Sequence, residues 1–566
     1  MSANAMKDPS QKYMPFQPVS LPERTWPSGV MTKAPVWCSV DLRDGNQSLS
    51  TPMNVEEKLV LFDLLTSIGF KEIEAGYPAA SETEYLFIRR LIDEKRIPED
   101  VTLQVISPCI ESIVEKTFRA VEGAPRVIFH FLNSTSPLQR KLVYAIDEDA
   151  CVALAVDTAR HIRELATEAE KKGTKVRFEY SPESFSETEP EFALRIVEAV
   201  MDALEASASS PMIVNLPATV EVSMPNQYAD MVEWFCKNTK DRSRFQLSIH
   251  PHNDRGTAIA AAELALLAGA DRVEGTLFGN GERTGNADLI TLALNMYTQG
   301  VQPGLDLHDI NGIRDIYQKV TGLFVEPRHP YAGELVYTAY SGTHQDAIAK
   351  VMEHRKKRRL SHWHIPYLPL DPADIGRQYD PIIRINSQSG KSGAAFVLET
   401  QFGYKIPKAM LPELGQVVKE AADRENGELS GNDLFKLFNE KFIRVETPYE
   451  LKSYRTSYLH EEDEEDNEVR FTGVINHLGK PTDVEGVGNG PIDALYDALR
   501  TIGAADFDFM SYDQHALSTG SDSRAIAYIQ LRDKNNRTCF GVGTSRDIRK
   551  ASLRALISAI NRISRD

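Results

Sequence analysis

The sequence predicts an α/β protein: a closed (β/α)8 TIM barrel followed by helical subdomains and a C-terminal α+β domain. Three observations carry this. From Val36 to about Gly300, short β-branched runs alternate with longer amphipathic stretches, eight of each. No GxGxxG follows the first run, as it would in an open dinucleotide-binding sheet. Beyond residue 300 the alternation stops, and it resumes only near the C-terminus.

The predicted strands are VWCSVDL (36–42), KEIEAG (71–76), TLQVIS (102–107), RVIFHFL (126–132), KVRFEYS (175–181), PMIVNLP (211–217), QLSIHPH (246–252) and DRVEGT (271–276). Between them, apolar residues recur at three- and four-residue steps, as in 54–69, 82–96, 148–173 and 257–270, which predicts helices. Residues 305–365 and 372–440 read as helical. HRKKRRL (354–360) reads as a solvated helix face rather than an anion site, and HEEDEEDNE (460–468) as a solvated loop or linker. In the tail VRFTGVIN, DFDFMSYDQHAL, SRAIAYIQLRD and RTCFGVGTS read as strands, PIDALYDALRTIG and DIRKASLRALISAINRI as helices. The expected domains are an N-terminal extension (1–35), the barrel (36–305), helical linker subdomains (306–440) and a C-terminal domain (441–566).

Composition bounds the function. The 566 residues exceed one ordinary domain. With 64 Lys+Arg against 81 Asp+Glu, the net charge of −17 argues against nucleic acid as the main partner. Five Cys without a CxxC read as reduced thiols. No run approaches a membrane span, and the polar, Pro-rich N-terminus has no apolar segment for a signal peptide, so the expected compartment is the cytoplasm.

A barrel carries its chemistry where strands end. The strand ends here deliver Asp41, Arg43, Asp44 and Gln47; Glu74; His130; Ser181 and Glu183; Asn215 and Thr219; His250, His252, Asn253 and Asp254; then Glu274 and the loop GNGERTGN (279–286). Residues i and i+2 of a strand share a face, so His250 and His252 can aim at one point. Pro251 between them fixes φ at the turn. A facing carboxylate, Asp44 or Asp41, would complete a two-histidine, one-carboxylate metal set with open positions. Arg43 can polarise a carbonyl or pair at the rim. Glu74 and Glu183 read equally as rim carboxylates, His130 equally as a core histidine. The Gly-rich loop allows close backbone approach to phosphate, adenine or pantetheine, but is not a Walker A.

LRDGNQ (42–47) with Lys58, HPHNDRG with EGTLFGNGERTGN, NLPATVE (215–221), SGTHQDAIAK (341–350) and IGRQYDPIIRINSQSGKSG (375–393) together resemble the α-isopropylmalate synthase family in its longer form. The resemblance runs from about residue 30 to the C-terminus. It implies a Claisen-type acyl transfer from acetyl-CoA to 2-oxoisovalerate. It also implies a divalent metal (Mg2+, Mn2+ or Zn2+) on Asp44, His250 and His252, with Asn286 nearby. Arg43 would polarise the oxo carbonyl, and Thr219 would bind the carboxylate. His130, Ser181 and Asn215 join Thr219 as substrate-binding residues, and Glu282 and Gly285 stand beside acetyl-CoA. Glu183, His344 and Tyr379 would move protons, the latter two reaching the barrel from the partner of a homodimer. The C-terminal domain, with GVGNGP (486–491), would bind L-leucine as feedback inhibitor. Homocitrate and citramalate synthases share the barrel motifs, and metal-dependent carbon–carbon lyases share the barrel and metal. A third alternative is a ligand-sensing tail on an inactive barrel.

Overall fold

The structure is a computed structural model that describes residues 12, 14–338, 342–378, 391–425, 429–459, 468–504, 507–517 and 523–564. Its contacts divide it into two compact units, 1–336 with 370–378, and 337–369 with 379–566.

In the first unit eight parallel strands close into a barrel in chain order. They are β1 (Val36–Ser39), β2 (Glu72–Gly76), β3 (Thr102–Pro108), β4 (Arg126–Ser134), β5 (Lys175–Glu183), β6 (Met212–Ala218), β7 (Phe245–Pro251) and β8 (Arg272–Gly275). Each is followed by a helix: α1 (Val55–Ile68), α2 (Glu82–Asp93), α3 (Glu111–Ala120), α4 (Glu148–Lys171), α5 (Pro190–Ala203), α6 (Pro225–Asn238), α7 (Ala258–Leu267) and α8 (Leu289–Thr298). The predicted barrel is borne out. Strands covered by helices outside and by packed side chains inside should be buried throughout, and every residue of β2 and β6 is. A ninth helix, α9 (Ile310–Thr321), packs against α1. The N-terminal arm is pinned to α6: Arg24 grips Asp230 with two nitrogens (2.6–2.9 Å), and Trp26 Nε1 donates to the same carboxylate at 2.9 Å.

Two expectations change. The first strand stops at Ser39, and DLRDG (41–45) forms one π turn instead. Asp41 explains this locally. Its carboxylate accepts from Ser39 Oγ (2.7 Å) and from Leu277 N (3.0 Å), a side-chain alternative to the strand ladder. The helical reading of 305–365 holds for α9 and for α10 (Gly342–Arg358). Residues 322–338 contain Pro327 and Pro330 and form turns, because proline removes a helix donor and restricts its predecessor.

The barrel interior is charged below the mouth, which the strand pattern did not reveal. Arg272, with no exposed surface, donates to Glu72 (2.6 Å), Glu274 (2.5 Å), Gln104 (2.6 Å) and Ser248 (2.8 Å). Glu179 is equally buried, 3.4 Å from Arg272. A buried guanidinium of this kind persists only when its donors are satisfied.

The second unit carries α10, α11 (Lys391–Phe402), α12 (Leu411–Glu425) and α13 (Gly431–Phe438). It ends in two modules built alike. One is β9 (Tyr449–Tyr458), β10 (Val469–His477), β11 (Lys480–Gly488) and α14 (Pro491–Thr501); the other is β12 (Asp508–Ala516), β13 (Ala525–Arg532), β14 (Thr538–Ser545) and α15 (Ile548–Ile563). Both sheets are antiparallel, so the α+β expectation stands. In each, a Gly-x-Gly on the third strand lies under the helix. A Cβ on Gly486 would come within 2.3 Å of α14 backbone, and one on Gly541 within 2.1 Å of α15 backbone. A core of Leu398, Leu414 and Phe438 with Ile526, Tyr528 and Val542 joins α11–α13 to β13 and β14. A border at 440 runs through this core. The acidic stretch 460–467 and most of INSQSGKSG (385–390) lie outside the described residues; 354–358 is the exposed end of α10. Among the described residues no helix is long and apolar enough to cross a membrane.

Candidate active site

The π turn after β1 carries Arg43 and Asp44 to the mouth of the barrel, opposite the end of β7. Asp44, His250 and His252 are buried there, and each offers a ligand atom within 4.8 Å of the others. This separates the two candidate carboxylates: Asp41, committed to Ser39 and Leu277, is not in the cluster. The imidazole centroids of His250 and His252 are 5.1 Å apart. Asn286, bridged to His252 through the backbone, donates its amide to Asp44.

The protonation states follow from the surroundings. Burial favours a neutral Asp44, but Arg43 and then both histidines outweigh it and hold the carboxylate down to about 2. Burial, then His250, pushes His252 down to about 4, so its imidazole is neutral. Burial works against charge on His250 too, but Glu274, 2.7 Å from its Nδ1, raises it above the ordinary value. An ionised carboxylate, a neutral imidazole and a second imidazole oriented by a carboxylate are what a divalent cation requires. Two buried atoms here, His252 Nδ1 and Asn286 Oδ1, have no hydrogen-bond partner. Buried orphans are rare, and an ion in this cradle accounts for their neighbourhood. The nitrogen and oxygen donors fit Mg2+, Mn2+ or Zn2+.

Arg43 is locked in place: Nη1 donates to Asp44 at 2.7 Å, and Nε donates to Glu74. Beneath it a continuous polar chain crosses the barrel. Glu74 accepts from Gln104 (2.7 Å) and meets His130 Nδ1 (2.7 Å). His130 Nε2 is 2.7 Å from Ser181 Oγ, which accepts from Asn215 Nδ2 at 3.0 Å. Asn215 also approaches Glu274 (3.4 Å), the partner of His250. His130, Ser181 and Asn215 are thus brought together, mutually bonded below the mouth. Lys58 was part of the first motif without a role. It is buried on α1 and donates to the carbonyl of Leu42 (2.9 Å) and to Glu84, so it anchors the π turn.

At the rim, Glu183 ends β5 and accepts from Ser134 Oγ. Thr219 Oγ1 accepts from Ser184 N at 2.9 Å. Glu282 accepts from Gln47 Nε2 at 3.1 Å. Gly285 has φ +99°, and a Cβ there would sit 1.9 Å from the Gly279 carbonyl, so this turn tolerates only glycine. His344 is exposed on α10 in the second unit, and Tyr379 lies outside the described residues. Sequence reasoning passed over Tyr367, whose ring stacks on His344 at 3.9 Å and whose φ is +64°. Its signal was slight, one aromatic in a Pro-flanked stretch. A bulky residue held with positive φ marks an over-determined conformation.

Comparison with known proteins adds independent evidence. An HMGL-like profile matches residues 34–316. A profile described as alpha-isopropylmalate synthase, post-catalytic domain-like, matches 334–399, and the LeuA allosteric (dimerisation) domain matches 428–564. The 2-isopropylmalate synthase of Clostridium acetobutylicum is 50% identical over 551 residues, covering 97% of this chain and 99% of its own. That of Rhodospirillum rubrum is 49% identical over 99% of this chain and 100% of its own. That of Azotobacter vinelandii is 46% identical over 98% of both. With identity at this level over nearly the whole length, the chain belongs to the 2-isopropylmalate synthase family.

Proposed function

We propose that the barrel mouth condenses acetyl-CoA with 2-oxoisovalerate and, with water, releases 2-isopropylmalate and CoA, the first committed step towards L-leucine, and that L-leucine inhibits it through the C-terminal domain. The observation that carries the reading is the convergence of Asp44, His250 and His252, with His252 neutral and one of its nitrogens unpartnered.

Asp44, His250 and His252 would hold a divalent cation, with Asn286 beside it. Bound there, the cation would draw charge from the oxo carbonyl and steady the alkoxide formed on attack. The remaining steps fall to the protein's own groups. Arg43, fixed by Glu74 and Asp44, has N–H groups left to donate to the developing oxyanion. Thr219, whose hydroxyl already accepts from Ser184, has its own proton to give to the substrate carboxylate. Glu183, steadied by Ser134, takes a proton from the acetyl methyl group, whose weak acidity demands an aligned base. Glu282 and Gly285 line the approach of acetyl-CoA. Water then cleaves the thioester, which makes the condensation effectively irreversible. His344 completes proton transfer from the partner of a homodimer, a reading supported by the dimerisation-domain match.

The tyrosine that serves His344 is open to direct comparison. Tyr379 is implied by sequence resemblance, whereas Tyr367 stacks on the imidazole. Tyr367→Ala is expected to lower kcat about tenfold or more, with Tyr379→Phe closer to wild type; the reverse order in steady-state kinetics would assign the role to Tyr379. The metal cluster is tested by His252→Ala. Equilibrium dialysis should show affinity for the divalent ion reduced about 10–100-fold, with turnover falling alongside. Unchanged metal content and turnover would remove the site assignment.

A further inference from the structure

Arg283 lies in the loop after β8 with φ +56°, a conformation that L side chains rarely adopt. From there its guanidinium reaches back across two other loops. Nε donates to Asp254 Oδ1 at 2.7 Å, and Nη2 to Asp254 Oδ2 at 3.1 Å and to the carbonyl of Thr219. Asp254 Oδ2 also accepts from Glu221 N at 2.9 Å. The Glu221 carboxylate in turn accepts from Arg255 N (2.6 Å) and Thr257 Oγ1. Thr219 Oγ1 accepts from Ser184 N, and Gly285 O accepts from Asn253 N at 3.0 Å. The loops after β5, β6, β7 and β8 are therefore tied into one belt around half of the mouth, and Arg283 bridges three of them.

The ion pair alone does not explain this arrangement. The Arg283 side chain is 40% exposed, and a surface pair of that kind stabilises little. What it does fix is direction. Thr219 is held at two points, its backbone carbonyl by Arg283 and its hydroxyl oxygen by Ser184 N, which fixes where the hydroxyl sits at the mouth and leaves its proton free to donate. A lysine could not reproduce it, because a single ammonium cannot span both Asp254 oxygens and the Thr219 carbonyl in a planar fork.

The geometry points to Arg283 as a positioning residue for the 2-oxo acid: it sets the Thr219 hydroxyl against the substrate carboxylate without touching substrate itself. This rests on the carboxylate-binding reading of Thr219 given above. The test is steady-state kinetics on the full chain with acetyl-CoA and 2-oxoisovalerate, comparing wild type, Thr219→Val, Arg283→Gln, Arg283→Lys, Asp254→Asn and the Arg283→Gln/Asp254→Asn double variant, with bound metal measured in each. Arg283→Gln and Arg283→Lys should raise the KM for the oxo acid about tenfold, with the KM for acetyl-CoA and the metal content within about twofold. The double variant should be no worse than the poorer single, since both changes cut the same link. An unchanged oxo-acid KM in Arg283→Gln, metal loss in step with activity, or fully additive penalties would each overturn the proposal. Thr219→Val separates this from the reading beneath it. If Thr219→Val leaves the oxo-acid KM unchanged, the carboxylate assignment falls; if it raises that KM while Arg283→Gln does not, only the role of Arg283 falls.

Discussion

Two aspartates three residues apart are held in opposite states here. Arg43 and the histidines keep Asp44 ionised against the effect of burial. Asp41 lacks such partners: burial raises it to about 7, and the hydrogen bonds from Ser39 and Leu277 offset this only in part. The folded chain thus binds the Asp41 proton more tightly than the unfolded chain, where an aspartate titrates near ~3.9. Its stabilising contribution is complete below that value and is lost as pH rises through about 7. Asp41→Asn should therefore flatten the decline in barrel Tm between about pH 5 and 8, by roughly 2 °C or more. Melting curves of both proteins across that range check it; parallel curves would show that Asp41 does not titrate there. At this scale the sequence made Asp44, His250 and His252 legible, because a strand's period of two puts the histidines on one face. It left Asp41 as an equal candidate, because the π turn that separates the carboxylates has no periodic signature. Arg272 and Glu179 stayed hidden, because a charged residue alternating with apolar ones reads as the solvent side of a strand, and here that side is the inside of a barrel.

The elements of the barrel were legible because short runs rich in β-branched residues alternate with longer stretches in which apolar residues recur at three- and four-residue steps. α1 shows this in miniature: Asn54 and Glu57 close a capping box, and Gly69 ends the helix in the left-handed region. The tail was read less completely. β11 (KPTDVEGVG) is rich in residues of low strand preference, β9 (YELKSYRTSY) intersperses its tyrosines with charged and hydroxyl residues, and both are largely exposed, so they carry no apolar run. GVGNGP was noticed as a glycine cluster, while its counterpart GVG (541–543) in the second module went unremarked. In both, the glycines let a helix backbone rest on the strand. Gly541→Ala must push α15 outward, which should cost the second unit about 1–3 kcal/mol. The barrel holds the proposed metal cluster, but His344 and the dimerisation-domain match lie in the second unit, so inhibition by leucine should weaken more than turnover does. Calorimetry of the variant, with turnover measured against leucine concentration, checks both parts; full leucine sensitivity with an unchanged second-unit transition would contradict the packing argument.

Across the whole molecule, the metal cluster is expected at the barrel mouth and leucine control in the C-terminal domain, and coupling them requires an element whose two states both sites bias. The family is fixed by identity over nearly the full length. The substrate is the finer question, because the residues that would hold the shared 2-oxo acid group, Thr219 at its carboxylate, Arg43 at its carbonyl, and Asp44, His250 and His252 through the metal, do not by themselves choose the side chain beyond it. The most direct test is thiol release from acetyl-CoA by the full chain, supplied with a divalent metal and a panel of 2-oxo acids, each repeated with leucine. Release should be fastest with 2-oxoisovalerate, absent without metal and suppressed by leucine. Release that favours 2-oxoglutarate or pyruvate, or no free thiol with any 2-oxo acid, would contradict it.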